Sequence, residues 1–174
     1  EYRGLTKDND QSYYYFMHSH LFDHININKN NTKVPDGMEP DAIKAGQDYE
    51  NIIKNYGGID LQLLGLGNNG HIGFNEPCDE FICDTHCVEL SKSTIEANKR
   101  FFNSEAEVPK QAYTMGIRNI MQAKKVLLMV TGGAKASILK EVLYGPVTPK
   151  VPASILQLHK HLYVVADKEA ARLL

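Results

Sequence analysis

Residues 65–77 read Gly-Leu-Gly-Asn-Asn-Gly-His-Ile-Gly-Phe-Asn-Glu-Pro. His71 can carry a proton near neutral pH and so can act as acid or base. Glu76 lies five residues on, near enough in a turning loop to fix the histidine tautomer or raise its basicity. Asn69 donates and accepts hydrogen bonds without taking charge. Gly65, Gly67, Gly70 and Gly73 let the backbone bend tightly and let a ligand approach it. A glycine-rich loop around a satisfied histidine would have the same composition. Chemistry is favoured because this stretch directly follows an apolar run, where a sheet presents loops to a site.

A second stretch, Gly132-Gly133-Ala134-Lys135, follows the apolar run Lys125–Thr131. A lysine there stands at a helix start, which suits an anion on electrostatic grounds alone. Other clusters carry less. His18, His20 and His24 give H-x-H-x3-H, but on a helix only His20 and His24 share a face, so they read as surface histidines rather than metal ligands. Cys78, Cys83, His86 and Cys87 match no common zinc spacing and read as buried or idle thiols. Gly65, Gly67 and Gly70 formally match G-x-G-x-x-G, yet His-Ile-Gly follows in place of a helix, and a nicotinamide site is rejected.

The elements that would position these residues alternate. Gln11–Phe22 reads as a helix with Ser12 as N-cap. A loop over 24–40 follows. Glu39-Pro40-Asp41 opens a second helix to about Tyr56, with Ile43, Tyr49, Ile52 and Ile53 expected on one face. The run 59–66 is a strand expected to be buried on both faces. Residues 81–89 and 113–117 are weaker strands, 125–131 a strong one, 134–144 a helix and 162–166 the last strand, with a helical start at Lys168. Residues 1–5 look helix-like. Alternation with apolar strands predicts an α/β, Rossmann-like, mainly parallel sheet with helices on both faces. Ligands of such sheets bind beyond the carboxyl ends of strands.

The chain has 174 residues, 43% apolar and 23% charged, fitting a single domain over 1–174. Nineteen Lys and Arg against twenty-one Asp and Glu leave a net charge of −2, which gives no basic surplus for nucleic acid or anionic membrane. No apolar run approaches the roughly 20 residues of a spanning helix. Three cysteines inside ten residues make a poor disulfide framework and point to a reducing, cytoplasmic compartment. The chain begins with Glu rather than Met and reads as part of a larger protein.

The stretch 65–77 resembles the signature G-x-G-x-[DN]-G-H-I-x-F-N-E-P of the glucosamine-6-phosphate deaminase (isomerase) family. Other blocks agree in order: Glu1-Tyr2, Ser12–Met17, Ala97–Phe102, Val108-Pro109, Gly133–Ala136 and Ser154–His159. The resemblance covers nearly the whole chain. It implies conversion of glucosamine 6-phosphate and water to fructose 6-phosphate and ammonia without a cofactor. His71 would move the proton during ring opening, oriented by Asn69 and Glu76. Many relatives have Asp at position 69, and an amide orients a neighbour without stabilising imidazolium. Arg100 and Lys135 would supply cations for the phosphate, Gly65 would let the substrate close in, and Tyr13 would line the same cleft. A homo-oligomer is possible in such a family.

The family's base for the C2 proton precedes the Glu-Tyr pair and is expected to lie outside these residues, with the N-terminal β-α units. The 174 residues alone are therefore expected to be nearly inactive, less stable and prone to associate; Glu1, at a frayed terminus, would be a poor substitute. The stretch 85–89 lacks Arg and Lys, so activation by N-acetylglucosamine 6-phosphate is not expected. Two other readings stand beside this one: a 6-phosphogluconolactonase-like hydrolase, whose loop ends differently from Phe-Asn-Glu-Pro, and a non-catalytic sugar-phosphate-binding regulator.

Overall fold

The computed structural model describes residues 1–174, the side chain of Glu105 excepted. In chain order its main elements are α1 (Tyr13–His20), α2 (Ala42–Asn55), β1 (Leu61–Gly65), β2 (His86–Glu89), α3 (Lys92–Asn98), β3 (Gln111–Thr114), α4 (Ile117–Gln122), β4 (Lys125–Val130), α5 (Ala136–Tyr144) and β5 (Leu162–Ala166). Short 3-10 turns join several of them. The chain forms two compact units, one of residues 1–54 and 85–114, the other of 55–84 and 115–174. Among the described residues no helix is long and apolar enough to cross a membrane.

The second unit holds a parallel sheet in the order β1-β4-β5. The expected α/β architecture is present. Its pleat sends Leu64, Val126, Leu128 and Val130 into a core shared with Ile120, Leu139, Val142 and Leu156, all nearly or wholly buried. Helix α5 meets that core with Ala136, Leu139 and Val142, spaced three apart on one face. The strands were expected to be buried on both faces, and one face is not. Leu61, Leu63, Met129, Tyr163 and Val165 alternate with the core residues and are exposed, Leu63 by 58%. An apolar run reports β-propensity, whereas burial depends on what packs over each face.

The first unit is built around the antiparallel pair β2-β3. Residues 1–3 extend that pair and are not helical: Tyr2 bridges Ala112, and Arg3 N–H donates to the Gln111 carbonyl at 3.0 Å. Nor is Glu1 frayed. It is buried, and its carboxylate accepts from the backbone N–H groups of Tyr2, Tyr13 and Tyr14 at 2.8–3.0 Å. Ser12 caps α1 as expected, its hydroxyl accepting from Tyr15 N–H at 3.0 Å. A carboxylate beside the first N–H groups of a helix also meets the positive end of its dipole.

Helix α2 turns Tyr49, Ile52 and Ile53 inward as expected, but not Ile43. Ala45 and Gly46 are buried, Tyr49, Ile52 and Ile53 are half-buried, and Ile43 is 73% exposed. At 100° per residue Ile43 stands half a turn from Ile52. At Gly46, α2 comes close to the chain at Thr85: a Cβ there would overlap the Thr85 carbonyl. Thr85 is further held by Glu50, which accepts from its N–H at 2.7 Å and its hydroxyl at 2.6 Å. His18 corrects the reading of surface histidines. It stacks on Tyr14 and places its ring nitrogens 3.2 Å from Asp23 Oδ1 and Thr32 Oγ1. Strands β2 and β3 are shorter or earlier than the expected 81–89 and 113–117, and the chain after Lys168 forms turns instead of a helix.

Candidate active site

Strand β1 ends at Gly65, and the loop beyond it folds on itself. Gly67 N–H donates to the His71 carbonyl at 2.9 Å, and Gly70 N–H to the Gly67 carbonyl at 3.1 Å. Ile72, wholly buried, pins the loop to the core, and Asn75 ties its far side by donating to the Ile72 and Met115 carbonyls at 3.0 and 2.9 Å. The backbone thus turns His71 back over the strand end. Its ring lies against Gly67 so closely that a Cβ on that residue would overlap the imidazole. Gly67 is therefore a requirement of packing, and the spacing of glycines gave only a general signal for it.

Three side chains form a relay. Asn69 Nδ2 donates to Glu76 Oε2 at 2.7 Å, and Asn69 Oδ1 lies 2.7 Å from His71 Nδ1. A carboxylate only accepts, so the amide NH2 must face Glu76 and the amide oxygen must face the ring. The oxygen in turn requires a proton on Nδ1. His71 is thereby held as the Nδ1–H tautomer, with the Nε2 lone pair available as a base. The same Asn69 oxygen accepts from the His71 backbone N–H at 3.2 Å, which fixes the loop and the ring together.

Burial pushes the His71 imidazole below its ordinary pKa of 6.5; the Glu76 carboxylate acts upward and the Lys135 ammonium downward. The ring is only 20% exposed and Glu76 7%. Glu76 Oε2 is 3.8 Å from Nδ1, so the amide stands between charge and ring. The expected pairing of Asn69, His71 and Glu76 is what the geometry contains.

Lys135 belongs to the same unit. The turn after β4 enters a 3-10 segment, Gly133–Lys135, and then α5. Lys135 Nζ donates to the Leu66 carbonyl at 2.8 Å, just past the end of β1. This places an ammonium beside the loop that carries His71. Gly65 is the last residue of β1, and a Cβ there would meet nothing within 4 Å, so the protein's own packing leaves that space open.

Tyr13 and Arg100 belong to the first unit. Arg100 is exposed, with its guanidinium 4.7 Å from the Phe101 ring centre. Tyr13 lines a cavity of about 230 Å³ together with Tyr2, Phe16, Asn98, Phe101 and Phe102. Burial and the nearby Glu1 carboxylate raise its phenol pKa. Among the described residues no group of His, Cys, Asp and Glu is arranged to hold a metal ion, and Cys78, Cys83 and Cys87 are free thiols, Cys83 exposed.

Comparison with known proteins bears on this arrangement. Residues 2–165 match the family model of glucosamine-6-phosphate isomerases/6-phosphogluconolactonase. The chain is 59% identical over 165 residues to a glucosamine-6-phosphate deaminase of Lachnoclostridium phytofermentans, covering 95% of this chain and 70% of that one. It is 53% identical over 171 residues to the deaminase of Clostridium novyi, covering 98% and 71%. Among solved structures, a monomeric glucosamine-6-phosphate deaminase superposes with a TM-score of 0.96 at 41% identity, over 100% of this chain and 72% of that one. A 6-phosphogluconolactonase of Trypanosoma brucei shares the fold alone, with a TM-score of 0.69 at 18% identity.

Proposed function

The chain belongs to the glucosamine-6-phosphate isomerase/6-phosphogluconolactonase family, and from that premise we propose that it serves the aldose-ketose isomerisation and deamination of glucosamine 6-phosphate, yielding fructose 6-phosphate and ammonia. The observation that carries this reading is the Glu76–Asn69–His71 relay at the end of a parallel strand. Each residue's part follows from it.

Ring opening needs a group that takes the proton of the anomeric hydroxyl and returns one to the ring oxygen. A neutral imidazole with a free Nε2 does the first, and the imidazolium so formed does the second. Asn69 keeps the nitrogen roles from exchanging, because its oxygen can only accept from Nδ1. Glu76 favours the imidazolium that forms during the transfer, while burial keeps the resting ring neutral. Lys135 supplies positive charge for a phosphate, at the positive end of the α5 dipole. The open space over Gly65 suits close approach of the sugar. Arg100 and Tyr13 are assigned to substrate contact from the family resemblance.

The 6-phosphogluconolactonase reading is weaker, because the likeness to those enzymes is one of fold. A non-catalytic binding role would leave the acid-base relay without a task. Glu1 is no candidate for the C2 base, since its carboxylate already accepts three backbone N–H groups. The 174 residues alone are accordingly expected to release ammonia slowly, and release at an ordinary enzymatic rate would overturn that expectation. The function itself is tested by assaying ammonia from glucosamine 6-phosphate after the chain is extended to the full length of its relatives. Release that collapses in His71→Gln supports the proposal. Absence of release, with sugar phosphate bound tightly, would replace it with the binding role.

A further inference from the structure

The turn after β4 contains a feature that no role in ring opening explains. Gly132 takes φ +91° and ψ 143°, a region open essentially only to glycine, and such a conformation persists only where neighbours hold it. The neighbour here is Asp167, one residue past β5. Its Oδ2 accepts from Gly132 N–H at 2.9 Å, and its Oδ1 accepts from Ala170 N–H at 2.7 Å. The Asp167 N–H meanwhile donates to the Val130 carbonyl at 3.2 Å, so the β4-β5 ladder sets where this carboxylate stands. The Gly132 carbonyl then accepts from Lys135 N–H at 3.0 Å, closing the turn from which the lysine side chain reaches the Leu66 carbonyl.

We propose that Asp167 is a positioning residue: it clamps the Gly132 turn between the ends of β4 and β5, and thereby places the Lys135 side chain to receive the phosphate of the substrate. This deepens, and rests on, the reading of the site given above. Asp167 does not touch the anion itself; its negative charge there would repel it, and its effect comes through the backbone it holds. Hydrogen bonds from the backbone N–H groups of Ala170, Gly132 and Glu169 hold its carboxyl pKa below the ordinary aspartate value.

The test measures binding, so that it does not depend on turnover. Inorganic phosphate and fructose 6-phosphate are titrated calorimetrically into the chain, its Asp167→Asn and Asp167→Ala variants, and Lys135→Ala as reference, each first shown to keep its cooperative melt. Asp167→Asn retains one acceptor oxygen, so it should keep part of the affinity. Asp167→Ala should weaken both ligands about tenfold, the scale of one lost charge-assisted contact. In an active, extended form the same variant should raise KM by a similar factor with kcat nearly unchanged, a split that general destabilisation would not give. Unchanged affinity in a folded Asp167→Ala, tighter binding in it, or no phosphate binding by the parent chain would each overturn the proposal. Sugar-phosphate binding that depends on Asp167, without ammonia release from the extended form, would leave it standing and remove the deaminase reading instead.

Discussion

Taken as whole residues, Glu1 and Glu76 are equally buried, each 8% exposed, and their carboxylates are put to different uses. Glu1 spends its oxygens on three backbone N–H groups and joins residues 1–2 to the start of α1. Glu76 meets a side-chain amide, and through it a histidine whose second nitrogen is left to do chemistry. Burial alone therefore does not tell an anchoring carboxylate from one that joins a relay. What distinguishes the two is the partner: backbone donors make an anchor, whereas an amide poised between carboxylate and imidazole makes a relay.

Changes within the relay should therefore act on activity, to different degrees, and spare the fold. The largest effect is expected for His71→Gln, which should lower kcat/KM in an active, extended form by about 10²–10⁴-fold, the usual contribution of a positioned acid-base group. The same variant should change the pH dependence of stability. A folded-state pKa below 6.5 means the unfolded chain takes up the proton first as pH falls, so the parent loses stability on acidification through 6.5 and His71→Gln should lose less. Melts at pH 7 and pH 5.5 would show it; equal losses would mean that His71 is not desolvated.

Gly67→Ala comes next. The added Cβ displaces the imidazole, and a displacement near 1 Å costs about a hundredfold in rate. Activity within a few-fold of the parent would show that the ring has room to move. At the other carboxylate the expected loss is of stability: Glu1→Ala should cost about 1–2 kcal/mol as a lost helix cap, read as a Tm lower by several degrees. A fall in kcat with Tm unchanged would reverse the assignment of roles.

The smallest effect separates charge from geometry within the relay. Glu76→Gln keeps an acceptor for the Asn69 amide but removes the charge that raises the His71 pKa. The acidic limb of kcat/KM should shift to lower pH, with the maximum reduced only modestly. A shift upward would mean that Glu76 does not act on the ring electrostatically.

Much of this was legible in order along the chain. Apolar runs located β1, β4 and β5, the first of them bounded by glycines; Ser12 marked the start of α1; the crowding of Asn69, His71 and Glu76 after a strand marked the relay. These are local signals, because period, capping and loop composition depend on residues close in sequence. Other features depended on partners far away in the chain. Ile43 looked like a core residue until packing against Thr85 selected the face with Ala45 and Gly46. The apolar outer face of the sheet could not be told from the inner one, since alternation gives two faces and only tertiary packing chooses which to cover. Glu1 read as a loose end, and became an anchor because α1 and β3 bring backbone groups to it from 12 and 112 residues away. Asp167 left no trace in sequence at all: its role exists because parallel pairing sets the end of β5 beside the turn after β4. Residue types and short spacings thus determined which groups could do chemistry, while long-range pairing decided which of them were placed to do it.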